Sequence, residues 1–279
     1  MKVATFKPRF IATGLAIGLA MISQAYAVPG VFTVAPPLTA PFQADFINGA
    51  SSELLHGDFA AGTLTANSGW LNFTGFSNGG NPVLPGTSGL GLNYQLYLTF
   101  DLAANYSGGT AFGTAGSNYN LSALNFQVWR DDLVPGPQTT FTQANAPGGI
   151  EATVGGGVGN NATDVLLGNG TLLSGVAGFD LQFGAFLNAT TTYANTIDGT
   201  AFFSAPNPFY NLAFSAFNNT SSGVLKSGGC IAGDTLCTIS VTQAIGGVDF
   251  NRVPEPATLA LLGMGLMGVG ISLRKRKAT

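Results

Sequence analysis

Tyr94-Gln95-Leu96-Tyr97-Leu98-Thr99-Phe100-Asp101-Leu102 decides the fold class. Leu96, Leu98, Phe100 and Leu102 fall on one face of this run, the period-two signature of a strand buried on one side. Leu124-Asn125-Phe126-Gln127-Val128, Phe179-Asp180-Leu181-Gln182-Phe183 and Cys237-Thr238-Ile239-Ser240-Val241-Thr242 repeat the alternation. Between them lie turn clusters: Ser77-Asn78-Gly79-Gly80-Asn81-Pro82, Ser107-Gly108-Gly109, Val134-Pro135-Gly136-Pro137 and Ala146-Pro147-Gly148-Gly149. Many short strands separated by Gly/Pro turns predict an all-β fold, a single antiparallel β-sandwich-like domain. No long 3.6-residue period interrupts the pattern, so helix should be minor.

Working outward, both ends of the chain differ from this middle. Lys2, Lys7 and Arg9 precede an apolar run from Phe10 to Ile22, and Ala25-Tyr26-Ala27 follows as a small-x-small site. That order predicts a signal-peptide helix over 1–27, exported by the Sec machinery and cleaved after Ala27, with Ala25 and Ala27 as the cleavage determinants. At the other end, Val253-Pro254-Glu255-Pro256 leads into seventeen uncharged residues, 257–273, and then Arg274-Lys275-Arg276-Lys277. As a helix the apolar stretch spans roughly 26 Å, enough for a thin hydrocarbon core. The four cations act as a basic stop that keeps their end in the cytoplasm and leaves the body outside. Pro254 and Pro256 cannot extend that helix, so the peptide just outside the membrane should be extended, a form a protease can grip. The division is therefore 1–27, 28–252 and 253–279.

The exported body, 28–252, holds three cations (Arg130, Lys226, Arg252) and twelve acids, a net charge of −9. Nucleic acid and anionic membrane surfaces are unsuitable partners for it. Asp, Glu, Lys and Arg make up 8% of the whole chain, against about 25% in ordinary soluble proteins. Polarity comes instead from Asn, Ser and Thr, groups that suit packing against hydrated polysaccharide or other copies of the chain. Twenty-one Phe, seven Tyr and two Trp argue that the body folds despite forty glycines.

Chemistry is sparse. His56, the sole histidine, would have to be the general base of any Ser-His-Asp arrangement, and its surroundings Ser51-Ser52-Glu53-Leu54-Leu55-His56-Gly57-Asp58 carry no nucleophile motif. Neither catalytic residues nor a metal site nor a cofactor is expected, and the body is read as non-enzymatic. Asp131, Asp132, Asp164, Asp180 and Asp198 offer hard oxygen ligands but no calcium-loop spacing. Glu53, Glu151 and the aspartates leave a glycosidase pair formally open. Gly155-Gly156-Gly157-Val158-Gly159-Asn160-Asn161 lacks the Gly-Lys-Ser/Thr end of a phosphate loop and reads as a flexible loop. Trp70 and Trp129 are either core residues or sugar-stacking platforms. Cys230 and Cys237, with six residues between them and in an oxidising exterior, are read as a disulfide stapling a hairpin around Gly233-Asp234. Reactive thiols or a shared metal are the alternatives, without a supporting base or a second ligand pair.

The tail of motif, span and basic terminus resembles the PEP-CTERM sorting signal of Gram-negative bacteria. That resemblance implies cutting near Pro254-Glu255-Pro256 by the membrane enzyme exosortase. Two further stretches, Val31-Phe32-Thr33-Val34-Ala35-Pro36 with Phe42 to Gly49 and Ser52-Glu53, and Val248-Asp249-Phe250-Asn251-Arg252-Val253, are similar to the flocculation-associated PEP-CTERM proteins. This similarity implies a surface or matrix protein that acts with exopolysaccharide to hold cells in flocs or biofilm, anchored through its C-terminal helix before processing. It brings no catalytic residue. A secreted polysaccharide-acting enzyme, or an exported protein of unrelated role with the same tail, is the alternative.

Overall fold

The run 94–102 lies inside a strand of sixteen residues, Tyr94–Gly109, in a computed structural model that describes residues 29–133, 138–155, 164–219, 221–227 and 237–251. The strands in chain order are β1 (Phe32–Val34), β2 (Phe42–Ala44), β3 (Phe46–Asp58), β4 (Thr63–Asn78), β5 (Asn81–Val83), β6 (Tyr94–Gly109), β7 (Ser117–Asp132) and β8 (Thr140–Thr142). They continue as β9 (Thr153–Gly155), β10 (Asp164–Phe179), β11 (Ala185–Thr192), β12 (Ala194–Asn195), β13 (Phe203–Ala205), β14 (Leu212–Asn218), β15 (Val224–Lys226) and β16 (Cys237–Asn251). Two short helices, α1 (Pro85–Ser88) and α2 (Ile197–Phe202), complete the regular elements beside one 3-10 turn.

The all-β antiparallel class is the one the alternation predicts. Its two layers are opposite walls of a single sheet that closes on itself. Pairing runs β3-β4-β6-β7-β10-β11-β14-β16 and returns to β3, an eight-stranded up-and-down barrel. Closure removes the edges that an open sheet would expose. The inward faces match in register: Leu98 opposes Val128, Phe100 opposes Phe126, and Leu102 opposes Leu124. Outward, Thr99 opposes Gln127 and Asp101 opposes Asn125, so this wall is apolar within and polar without. A barrel that meets lipid with its outer wall has the reverse arrangement.

Two glycines make room for two rings at the middle of this wall. A side chain at Gly69 would put its Cβ 2.3 Å from the Phe100 ring, and one at Gly170 would stand 2.5 Å from the Phe126 ring. Gly69 pairs with Phe100 and Gly170 with Phe126, so each aromatic lies across the bare backbone of its neighbour.

Aromatics also close both mouths. At one end β1, β2 and β13 form a small sheet, and Phe250 packs against Phe32, Tyr193, Phe203 and Phe209 with ring centroids 4.7–5.7 Å apart. At the other, Phe59, Phe112, Tyr119, Phe179 and Phe183 form a continuous chain of ring contacts. Gly30 donates its N–H to the Phe250 carbonyl at 3.0 Å, so the first and last described stretches of the body meet at the first of these ends.

One strand reading needs correction. Phe179-Asp180-Leu181-Gln182-Phe183 alternates, yet only Phe179 is in a strand, and the rest is the turn between β10 and β11. Asp180 Oδ1 accepts the N–H groups of Gln182 and Gly184 at 2.8 and 2.7 Å, which bends the backbone where alternation alone would keep it straight. Phe183, at φ 66°, folds back to stack on Phe179. The cluster 146–149 is a turn, as expected, and Ser77–Pro82 is the β4–β5 hairpin. The cluster 134–137 lies outside the described residues, as do 156–161 of the glycine-rich loop.

Candidate functional site

The segment between β7 and β10 leaves the barrel and folds back over its outer wall. Its hairpin, β8 with β9, brings Phe141, Ala144, Ala146, Ala152 and Val154 onto Leu54 and Trp70. Trp70 Nε1 donates to the Thr142 carbonyl at 2.8 Å, and Ser52 Oγ accepts from Ala144 N at 2.9 Å. Trp70 is 5% exposed: of its two sequence readings the core one holds, and it is no sugar platform. Trp70→Ala should cost about 3 kcal/mol. Hydrogen exchange should show the loss concentrated in 138–155, with the barrel strands still protected; uniform loss of protection would contradict this placement.

His56 and Glu151 meet on the outer side, Nε2 to Oε1 at 2.8 Å. They are 95 residues apart in sequence, and no local signal links them. Glu53 lies on the opposite face of the same strand, lining the lumen. The two glutamates therefore stand on opposite sides of the barrel wall and cannot flank one glycosidic bond.

Of the candidate aspartates, the fold brings two together. Asp131 and Asp164 face each other across β7 and β10, with Thr139 N donating to Asp131 Oδ2 at 2.8 Å and Thr139 Oγ1 to Asp164 Oδ1 at 3.4 Å. Asp132 is turned to Arg130, Nε to Oδ1 at 2.8 Å. Asp180 is spent on its turn, and Asp198 sits in the first turn of α2. Among the described residues no three His, Cys, Asp or Glu side chains converge on a common point.

Beside the hairpin runs an outer groove lined by Asn67, Thr99, Asp101, Asn125, Gln127 and Thr171. Asn125 Nδ2 donates to Asp101 Oδ2 at 2.8 Å, which holds that carboxylate in a neutral hydrogen-bonding row. Amides and hydroxyls at strand spacing present alternating donors and acceptors, the chemistry that matches the hydroxyls of a sugar chain.

The lumen is different. Leu71, Leu98, Phe100, Phe126 and Phe217 line a cavity of about 100 Å³ together with Ser51 and Glu53. Burial pushes the Glu53 carboxyl up to about 8, against the opposing pull of the Ser51 hydroxyl at 3.5 Å. At neutral pH this side chain is mostly the neutral acid. Alternation from Ile47 through Gly49, Ser51 and Glu53 to Leu55 carried the inward placement, but a Ser/Glu pair in the middle disguises the apolar face. Nearer the tail, burial and then the charge of Asp45 push Asp249 up to about 6.

Asn251 closes the described body, and the sequence continues from the aromatic-capped end into the tail. Residues 252–277 match the family description "PEP-CTERM protein-sorting motif". The chain carries a PEP-CTERM sorting signal. It is thereby marked as an exported protein addressed to exosortase. The residues of this PEP-CTERM tail singled out by sequence (Val253, Pro254, Glu255, Pro256 and Arg274 to Lys277) lie outside the described residues, as do Ala25 and Ala27 of the expected signal segment and both expected helices. Among the described residues no helix is long and apolar enough to cross a membrane. Cys237 is buried at the start of β16 and disulfide-bonded; Cys230 lies outside the described residues. No curated protein and no solved structure matches the chain.

Proposed function

We propose that this PEP-CTERM protein is a non-enzymatic component of the cell surface or extracellular matrix that promotes floc or biofilm formation together with exopolysaccharide. The observation that supports the reading is the joining of an exosortase address to a barrel whose outer groove sets amides and hydroxyls (Asn67, Thr99, Asn125, Gln127 and Thr171) and the Asp101 carboxylate beside the apolar Phe100, Phe126 and Val154. Each contact of such a groove with a glycan is weak, and many copies displayed on one surface add through avidity. The separation of Glu53 from Glu151 across the barrel wall and the engagement of His56 with Glu151 favour retention of glycan over hydrolysis.

Gene deletion with complementation tests this. Cells lacking the protein should stay dispersed, and full-length protein should restore settling. A groove variant, Asn125→Ala with Gln127→Ala, should be exported normally yet restore settling several-fold less well. Purified protein should release no reducing sugar from the matrix. Unchanged settling on deletion would refute the matrix role; sugar release would refute the non-enzymatic one.

A further inference from the structure

We infer that the barrel lumen is a binding site for one small uncharged alcohol, its hydrocarbon part among Leu71, Leu98, Phe100, Phe126 and Phe217 and its hydroxyl on Glu53. This goes beyond the matrix role and uses the opposite face of the wall from the outer groove.

The interior of an eight-stranded barrel is just wide enough either to be packed by side chains or to hold one small ligand. Here packing is incomplete. Phe100, Phe126, Leu187 and Phe217 point inward yet stay only partly buried, and a cavity of about 100 Å³ remains between them. An apolar cavity of about 150 Å³ accepts benzene, so one of this order accepts a molecule of about six or seven heavy atoms. Aromatic clusters stand at both mouths.

The polar groups select the head. Ser51 and Glu53 stand two residues apart on β3 and face the lumen, and among the described residues the Ser51 hydroxyl, at 3.5 Å, is the hydrogen-bond partner of the Glu53 carboxyl. A contact that long leaves the carboxyl room for a better partner. A neutral carboxyl both donates and accepts, and so does a hydroxyl, so the two can satisfy each other fully. None of the lumen-lining residues is Lys, Arg or His, so a carboxylate head would be buried against an acid with no cation to offset its desolvation. A pure hydrocarbon would fill the space and leave Glu53 as it was.

The test uses the full-length chain in phosphatidylcholine nanodiscs, titrated with 1-hexanol and followed by methyl resonances. Leu71, Leu98 and Val128 should shift saturably with a Kd on the order of 100 µM, while surface Leu225 and Val31 should not. Glu53→Leu should weaken hexanol at least tenfold, Glu53→Gln no more than about threefold because its amide still donates and accepts. Ala177→Leu, which fills lumen space, should remove the shifts, with thermal unfolding confirming that each variant is folded. Hexanoate at pH 7.5 should not bind. Shifts that fail to saturate, equal affinity in Glu53→Leu, or hexanoate binding as well as hexanol would each overturn the assignment. The settling assay is independent of all of these outcomes, so failure of either reading leaves the other standing.

Discussion

Glu53→Gln is expected to raise the midpoint of thermal unfolding by about 10 °C at pH 9 and to leave it almost unchanged at pH 5. The carboxyl titrates at its ordinary value of 4.5 in the unfolded chain and is held at about 8 in the folded one by burial. Between those two values the folded state keeps a proton that the unfolded state has lost. Stability must therefore fall as pH rises through this window, because the unfolded state binds fewer protons. The full shift corresponds to roughly 5 kcal/mol, an order-of-magnitude figure, all of it lost by pH 9. Glutamine keeps the shape and the hydrogen bonding without a titrating group, so its midpoint should be flat where the wild type declines. Parallel curves for the two proteins would show that the carboxyl is solvated in the lumen.

Asp249 works in the same direction over a lower range. Its folded value of about 6, raised by burial and by Asp45, makes its loss of stability complete by about pH 6 to 7, and Asp249→Asn should flatten only that part of the profile. Acid therefore tightens this protein where most proteins loosen. In most folds paired carboxylates are ionised, and acid removes the pairing. Here two poorly paired carboxyls, one in the lumen and one beside the tail-proximal end, are most comfortable neutral.

The fold was legible where a residue's two neighbours along the strand reported its face. Leu96 to Leu102 could be assigned inward because the register with Val128, Phe126 and Leu124 continues the same two-residue period. Closure was not legible. It rests on β16 pairing with β3, where Val248 meets Ile47, and nothing local in either run encodes a partner some 200 residues away. The misread run 179–183 shows the reverse failure: a single carboxylate, Asp180, outweighs the alternation by offering two backbone N–H groups a nearer acceptor. Long-range pairing also hid the site chemistry, since His56 finds Glu151 only after the β7–β10 excursion folds back over the barrel. The address needed no tertiary structure, because proline geometry, span length and a basic end are all local.

That independence predicts a double separation of phenotypes. Replacing Pro254-Glu255-Pro256 with three alanines should stop processing almost completely and leave the thermal midpoint of the body unmoved. Both prolines lack an N–H and push the preceding residue to extended geometry, whereas three alanines would let the helix expected over 257–273 run outward through the recognition peptide. Phe250→Ala should do the opposite. That ring is 2% exposed and touches four other rings, so its loss should cost about 3–5 kcal/mol while the unfolded-proof local motif is still cut. A pulse-chase mobility shift measures the first effect and calorimetry the second. Normal processing of the alanine variant would mean that the enzyme reads the span and the basic end without the motif. A block in processing by a Phe250→Ala protein that is still folded would mean that exosortase also reads the aromatic cap, where Gly30 and Phe250 are bonded side by side and from which the tail departs.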